Sequence, residues 1–263
     1  MEPGAFGEPA KEEAVEEKVA AKSFFTRLGG VYFSPREAFT EIGHAPRLAI
    51  PIIAFLLINV FSGWYLAQKI DTRAAMRTQL EQAVKQGRIT EEQMDQQISV
   101  VAAVAGPLIA VVGGVSALVL CLIAAGYGKL FSVIGGSENS FKSLLEVSVY
   151  AMLAISIVTA VLMVIILKIK GGGYVGAADL RSIIASNLGA WIENVAGADV
   201  LPKFVMGIAR AVDIFNIWII SLLSIGFSTV SKKLRTSTAA VWLGGAYVVF
   251  SIINAAVRSV IGA

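Results

Sequence analysis

Among 263 residues there is one cysteine and one histidine. A lone thiol, Cys121, closes no internal disulfide. With His44 as the only imidazole, neither a zinc site of the usual kind nor a histidine triad can be assembled. Cys121 lies within an apolar run and reads as a small buried apolar residue. Charge is also scarce. Only 16% of residues are Asp, Glu, Lys or Arg, where an ordinary soluble domain has about 25%. Lys and Arg number 22 against 19 acids, an excess too small to attract nucleic acid. Neither a Walker lysine loop nor a Gly-x-Ser-x-Gly elbow is present. Gly171, Gly173 and Gly176 do satisfy G-x-G-x-x-G, but a dinucleotide site needs a strand before the glycines, and here a long apolar run precedes them. No catalytic set, cofactor or metal is implied. What abounds is apolar: 56% of the chain, with a mean hydropathy of +0.72. A sphere of this length has too little interior to hide that much apolar surface, so part of the solvent is lipid.

The charges are sorted along the chain. Five uncharged runs stand out: Leu48–Gln68, Gln96–Gly128, Val147–Leu167, Ile214–Ser231 and Thr236–Val257. About 20 apolar residues cross a hydrocarbon core of roughly 30 Å, so four of the runs match one crossing each. The second, at 33 residues, is too long for one crossing and too short for two. It reads as one helix that begins outside the lipid and crosses over 104–126, with Gly106-Pro107 and Gly113-Gly114 as kink candidates. Its small residues, among them Ala105, Gly113 and Ala117, suit close helix packing. The expected fold is an all-α transmembrane bundle of five spans, near 48–68, 104–126, 147–167, 213–231 and 237–258, with interfacial amphipathic helices. Residues 1–22 read as a disordered acidic tail and 23–263 as the membrane domain.

Five spans put the termini on opposite sides. Lys and Arg divide evenly between the two sides, so orientation rests on the charges nearest the span ends. Lys232, Lys233 and Arg235 fill the tight turn before span five, and Arg27, Arg36 and Arg47 precede span one. These place the N-terminus in the cytoplasm and the C-terminus outside.

Three connecting segments have patterns of their own. Ser23–Ile42 mixes aromatic and basic residues, which suits either a headgroup layer or a collar packed against the bundle, and Ser34-Pro35 with Glu37 reads as a helix start. Asp71–Gln97 reads as a polar helical hairpin broken at Gly87, its second helix opened by the capping box Thr90–Gln93. It is either a solvated connection or a partner-binding arm. Ala177–Val195 carries apolar residues at the helical period and reads as an interfacial helix with Trp191 among the headgroups.

Intramembrane polar groups are expensive and need a partner or a task. Counted from the turn near Leu234, Asp213 and Arg258 fall at similar depth, as do Asn216 and Asn254. A polar seam is expected here, with Asp213–Arg258 as an ion pair and Asn216–Asn254 as a hydrogen-bonded pair. Glu146, four residues after Lys142, reads as an interface pair with it.

With these residues in view, the chain resembles the Yip1 family, and its layout is most like the bacterial branch. The resemblance rests on Ser34-Pro35-Arg36-Glu37 ahead of span one and on Gly135-Gly136 with Ser140-Phe141 between spans two and three. It continues through Tyr150, then Asp213-Ile214-Phe215-Asn216-Ile217-Trp218 leading to Leu222-Leu223 and Gly226. The chain departs from the family in the long hairpin at Asp71–Gln97 and in the long segment between spans three and four. The resemblance implies five spans, a cytosolic N-terminus and no catalytic residues. Eukaryotic members bind Rab-type GTPases in vesicle traffic. What carries over is the architecture and work through membrane partners. The expectation is a non-enzymatic membrane-organising or partner-binding scaffold of a bacterial cytoplasmic membrane, in contact with lipid and with other membrane proteins or itself. The alternative is a small transporter or channel using the polar residues of spans four and five.

Overall fold

A computed structural model of the chain describes residues 23–169, 184–197, 200–231 and 233–261. The expected acidic tail at 1–22, the glycine-rich stretch at 171–176, residues 177–183 of the expected interfacial helix, and Lys232 lie outside them. The described residues form ten α-helices: α1 (Phe24–Phe33), α2 (Pro35–His44), α3 (Ala49–Ala67), α4 (Thr72–Lys85), α5 (Glu91–Ile134), α6 (Phe141–Ile169), α7 (Leu188–Ala196), α8 (Lys203–Ala211), α9 (Ile214–Val230) and α10 (Thr236–Ile261). The fold is all-α, as the sequence predicts.

Four helices, α3, α5, α6 and α10, are long and apolar enough to cross a membrane. The fourth run is shorter. α9 has 17 residues, about 25 Å at 1.5 Å per residue. It nonetheless runs the length of the bundle beside α10. At one end Asn216 bonds Tyr247; at the other Ser228 bonds Thr236 and Ser231 bonds Ser132. That second end, with α1, α2 and the 135–140 loop, is termed the near end; the end carrying α4, α7 and α8 is the far end.

The outward faces of α3, α5 and α10 are apolar: Leu57 is 64% exposed, Ile123 60% and Phe250 63%. Continuous apolar surface of this kind is stable only against lipid. The interior centres on α6, where Leu144, Val147, Val149, Tyr150, Ala151 and Leu153 are all buried. Glycines let neighbouring helices approach closely. A Cβ on Gly63 of α3 would lie 2.9 Å from Ala110 Cα of α5, and one on Gly114 would lie 2.8 Å from Val60. Gly113, expected on this face, has open space where its Cβ would be. α5 continues as one helix through Pro107. Cys121 is fully buried, with its sulfur beside that of Met152.

Several local expectations meet the structure directly. The Thr90 capping box opens α5: the Thr90 hydroxyl accepts the Gln93 N–H, and the Gln93 side chain accepts the Thr90 N–H. Asp71 caps α4, and Gly87, at φ +70°, turns the chain between the two helices. Ser34 differs from expectation. Pro35 does open α2, but the Ser34 hydroxyl makes no cap bond: Ser34 sits at the joint of two helices, at φ −143° and ψ 61°, with its N–H on Gly30 O.

Of the two readings of Ser23–Ile42, the structure has the packed one: α1 and α2 form a helical wedge against α6 and α9. The Tyr32 hydroxyl donates to the Ala154 carbonyl at 2.6 Å, and its ring faces Trp218; burial pushes that hydroxyl's pKa up. Ala154 lies 13 residues into α6, about 20 Å along it. The expected helix over 177–195 is shorter where described, beginning only at Leu188. Asn187 caps it by accepting the Ala190 N–H at 2.8 Å. Residues 186–188 instead pair with 212–214, through Leu188 N–H to Val212 O and Ile214 N–H to Ser186 O.

Candidate functional site

Polar side chains gather at the two ends of the bundle. At the near end the wedge is tied to α6 by charge. Arg27, on α1, is 2% exposed, and Glu146, on α6, is 0%. Arg27 Nη1 donates to Glu146 Oε1 at 3.3 Å and to the Ala45 carbonyl at 3.0 Å, while Arg27 Nε donates to Glu41 at 3.3 Å. One guanidinium thus joins α1, the end of α2 and α6. Glu146 was expected to pair with Lys142. Its partner is Arg27, because the carboxylate turns inward toward the wedge. Arg27 falls one helical turn from Phe24 and Val31, on the apolar face of α1. A charge inside an apolar stripe is the sequence signal for a buried partner.

A second near-end network joins α5, the 135–140 loop and α9. Asn139 Nδ2 donates to Ser132 at 2.9 Å and to Ser231 at 2.5 Å, and Lys129 donates to the Asn139 carbonyl at 2.7 Å. The family-like residues frame it. Gly135 ends α5 and Gly136 follows at φ +64°. The Ser140 hydroxyl accepts the Lys142 N–H at the start of α6. Phe141 is part exposed beside it. Gly226 lies between Val147 and Phe39, and Trp218 packs on the core. These residues make contacts or turns; none forms a reactive pair.

At the far end, the expected seam residues do share one place but not the expected bonds. Asn216, Asn254 and Arg258 line a cavity of about 350 Å³ with Arg210, Tyr247 and Ser251, between α8, α9 and α10. Asp213 is not an ion-pair partner of Arg258. It is the N-cap of α9: its Oδ1 accepts Phe215 and Asn216 N–H at 2.8 and 3.2 Å, and its Oδ2 accepts the Ser186 hydroxyl. An acid at a helix N-terminus is held there by the helix dipole. Nor does Asn216 bond Asn254. Its Nδ2 donates to the Tyr247 hydroxyl at 2.8 Å, which in turn donates to the Ala211 carbonyl. Depth matching brings the right residues near one another. It misses α8, which packs on α10 and supplies Ala211 and Arg210. Arg210 is ion-paired with Glu193 of α7.

Two features therefore offer themselves for function: the far-end cavity, and the polar arm of α4 and the start of α5. Arg77 and Asp95 bridge that arm at 3.0 Å, both well exposed, and no residue of α4 is buried. The family model described as the Yip1 domain matches residues 29–257. Comparison with curated proteins and with solved structures yields no match.

Proposed function

Since the chain belongs to the Yip1 domain family, with the match covering most of its length, we propose that this multi-pass membrane protein is a non-enzymatic scaffold that holds partner proteins at the membrane. The observation that carries the reading is the α4–α5 arm. α5 has 44 residues, about 66 Å at 1.5 Å per residue, more than twice a hydrocarbon core of roughly 30 Å. Its N-terminal part stands off the bundle, with α4 laid against it. The arm is capped at Asp71 and Thr90 and carries exposed polar groups. A preformed helical surface of this kind suits binding, because little order has to be gained on contact.

The transporter reading needs a polar route through the bundle. The far-end cavity ends at the Asn216–Tyr247 bond. Toward the near end, α6 and α9 are packed with Leu222, Leu223, Phe227 and Val147, which favours the scaffold. We place the near end in the cytoplasm, since Arg36, Arg47, Lys142, Lys233 and Arg235 all belong to it.

A photo-reactive residue at Gln82, on the exposed face of α4, tests the reading in intact membranes. The expected result is a discrete protein adduct at Gln82, with lipid adducts alone from the same probe at Val111 on the apolar face of α5. Lipid adducts alone, or none, at both positions would count against a binding arm.

A further inference from the structure

The far-end cavity has a composition that neither packing nor scaffolding explains. Asn254 and Arg258 sit one turn apart on the same face of α10 and both line it. Among the described residues, the acids of the region are already engaged. Glu193 is ion-paired with Arg210, and Asp213 is bonded to Ser186 and to the first N–H groups of α9. Among the described residues no acid lies within ion-pair distance of Arg258, and no side chain or backbone group bonds the Asn254 amide. Among the described residues, the guanidinium and the amide in the cavity thus have no partner, and both can donate, with the Ser251 and Tyr247 hydroxyls beside them.

Depth adds the second constraint. Arg258 lies 22 residues from the start of α10, about 33 Å along it, where a hydrocarbon core of roughly 30 Å gives way to headgroups. Tyr247, at the inner end of the cavity, is about 17 Å along. The space therefore runs from the headgroup layer inward. Phe250 and Ile214 are both strongly exposed near it, and a lipid's apolar part would lie against them. An arginine fork with a neighbouring amide donor fits the oxygens of a phosphate.

We propose that the cavity between α8, α9 and α10 binds a phosphate group, that of an anionic phospholipid of the adjoining leaflet, through Arg258 and Asn254. Arg210 stays on Glu193 and lines the wall. The site does not depend on the scaffold reading, because it needs no protein partner.

The test uses the full chain purified in dodecyl maltoside, with bound lipid counted by native mass spectrometry during titration with phosphatidylglycerol. In a second arm inorganic phosphate is added alone and as competitor. One phosphatidylglycerol is expected per chain. Arg258→Gln should weaken its retention about tenfold, as loss of a charged hydrogen bond does, and Arg258→Lys, which keeps the charge but not the fork, should fall between that variant and the native chain. Arg258 is exposed, so these variants keep the fold. Millimolar inorganic phosphate should leave the lipid in place. Saturation by inorganic phosphate with no lipid retained would overturn the lipid assignment. Equal retention of phosphatidylglycerol by the native chain and Arg258→Gln would overturn the site. Because no partner enters the measurement, its failure is distinct from failure of the α4–α5 arm.

Discussion

Arg27→Met is expected to destabilise the full chain by about 3–5 kcal/mol, the usual cost of stranding a buried charge. The native guanidinium is 2% exposed and bonds Glu146, Glu41 and the Ala45 carbonyl. Methionine fills similar space but leaves the wholly buried Glu146 carboxylate without its cation. The companion change Glu146→Leu removes that carboxylate, so the double variant should recover a large part of the loss. A buried ion pair exchanged for well-packed apolar groups is often neutral. The coupling between the two sites should therefore be large and opposite in sign to the single losses. Unfolding of the four variants in micelles by sodium dodecyl sulfate titration, followed by tryptophan fluorescence, gives the cycle. Additive losses would mean that Arg27 and Glu146 do not act as a pair. The same pair predicts where the protein loosens first. With it broken, the α1–α2 wedge keeps its apolar contacts and the Tyr32–Ala154, Ser143–Gly43 and Arg36–Thr236 bonds but no buried charge pair, so hydrogen exchange should rise in α1 and α2 before α3 or α5.

Gly226→Ala is the second large effect expected. A single methyl at Gly226 would overlap Val147 Cγ1 and come within 3.2 Å of the Phe39 ring. Neither neighbour moves easily. Val147 is β-branched on a helix and has one preferred rotamer, and Phe39 is fully buried. Overpacking of this kind costs about 1–3 kcal/mol. The cost falls where α2, α6 and α9 meet, so it should also loosen the wedge. Val147→Ala removes the overlapped methyl and should rescue Gly226→Ala more than it changes the native chain. Unchanged unfolding of Gly226→Ala would show that α9 does not approach α6 and α2 this closely.

Much of the architecture is legible in the sequence because lipid imposes a simple rule. A crossing segment must be long, apolar and helical, so uncharged runs locate α3, α5, α6 and α10 almost by length alone. The capping box at Thr90 is local chemistry and is equally readable. Partners are harder, because they depend on elements far apart in the chain. Glu146 has Lys142 four residues before it, yet its carboxylate meets Arg27, 119 positions away. Asp213 and Arg258 match in depth on two paired helices, yet Asp213 is taken by the nearest unsatisfied N–H groups of its own helix. Depth matching treats helices as rods and ignores their ends, where the strongest local acceptors and donors lie. The far-end residues do converge, but through α8, whose short pattern gives no hint that it will lie on α10.

The two ends of the bundle differ in what their polar groups are doing. Near-end side chains hold helices together, Arg27 with Glu146 and Glu41 and Asn139 with Ser132 and Ser231, although Arg27 Nη2, Glu146 Oε2 and Asn139 Oδ1 are buried without a partner among the described residues. At the far end, among the described residues, Arg258 and Asn254 have no such helix-joining partner, and no residue of α4 is buried. That division depends on α9 crossing the membrane despite its 17 residues. Topology reporters fused after Gly87, Lys233 and Ile261, one active only in the cytoplasm and one only outside it, test this most directly. The account predicts Lys233 in the cytoplasm, with Gly87 and Ile261 both outside. Lys233 on the same side as Gly87 would contradict it, since α9 would then fail to cross and the near and far ends would not face opposite compartments.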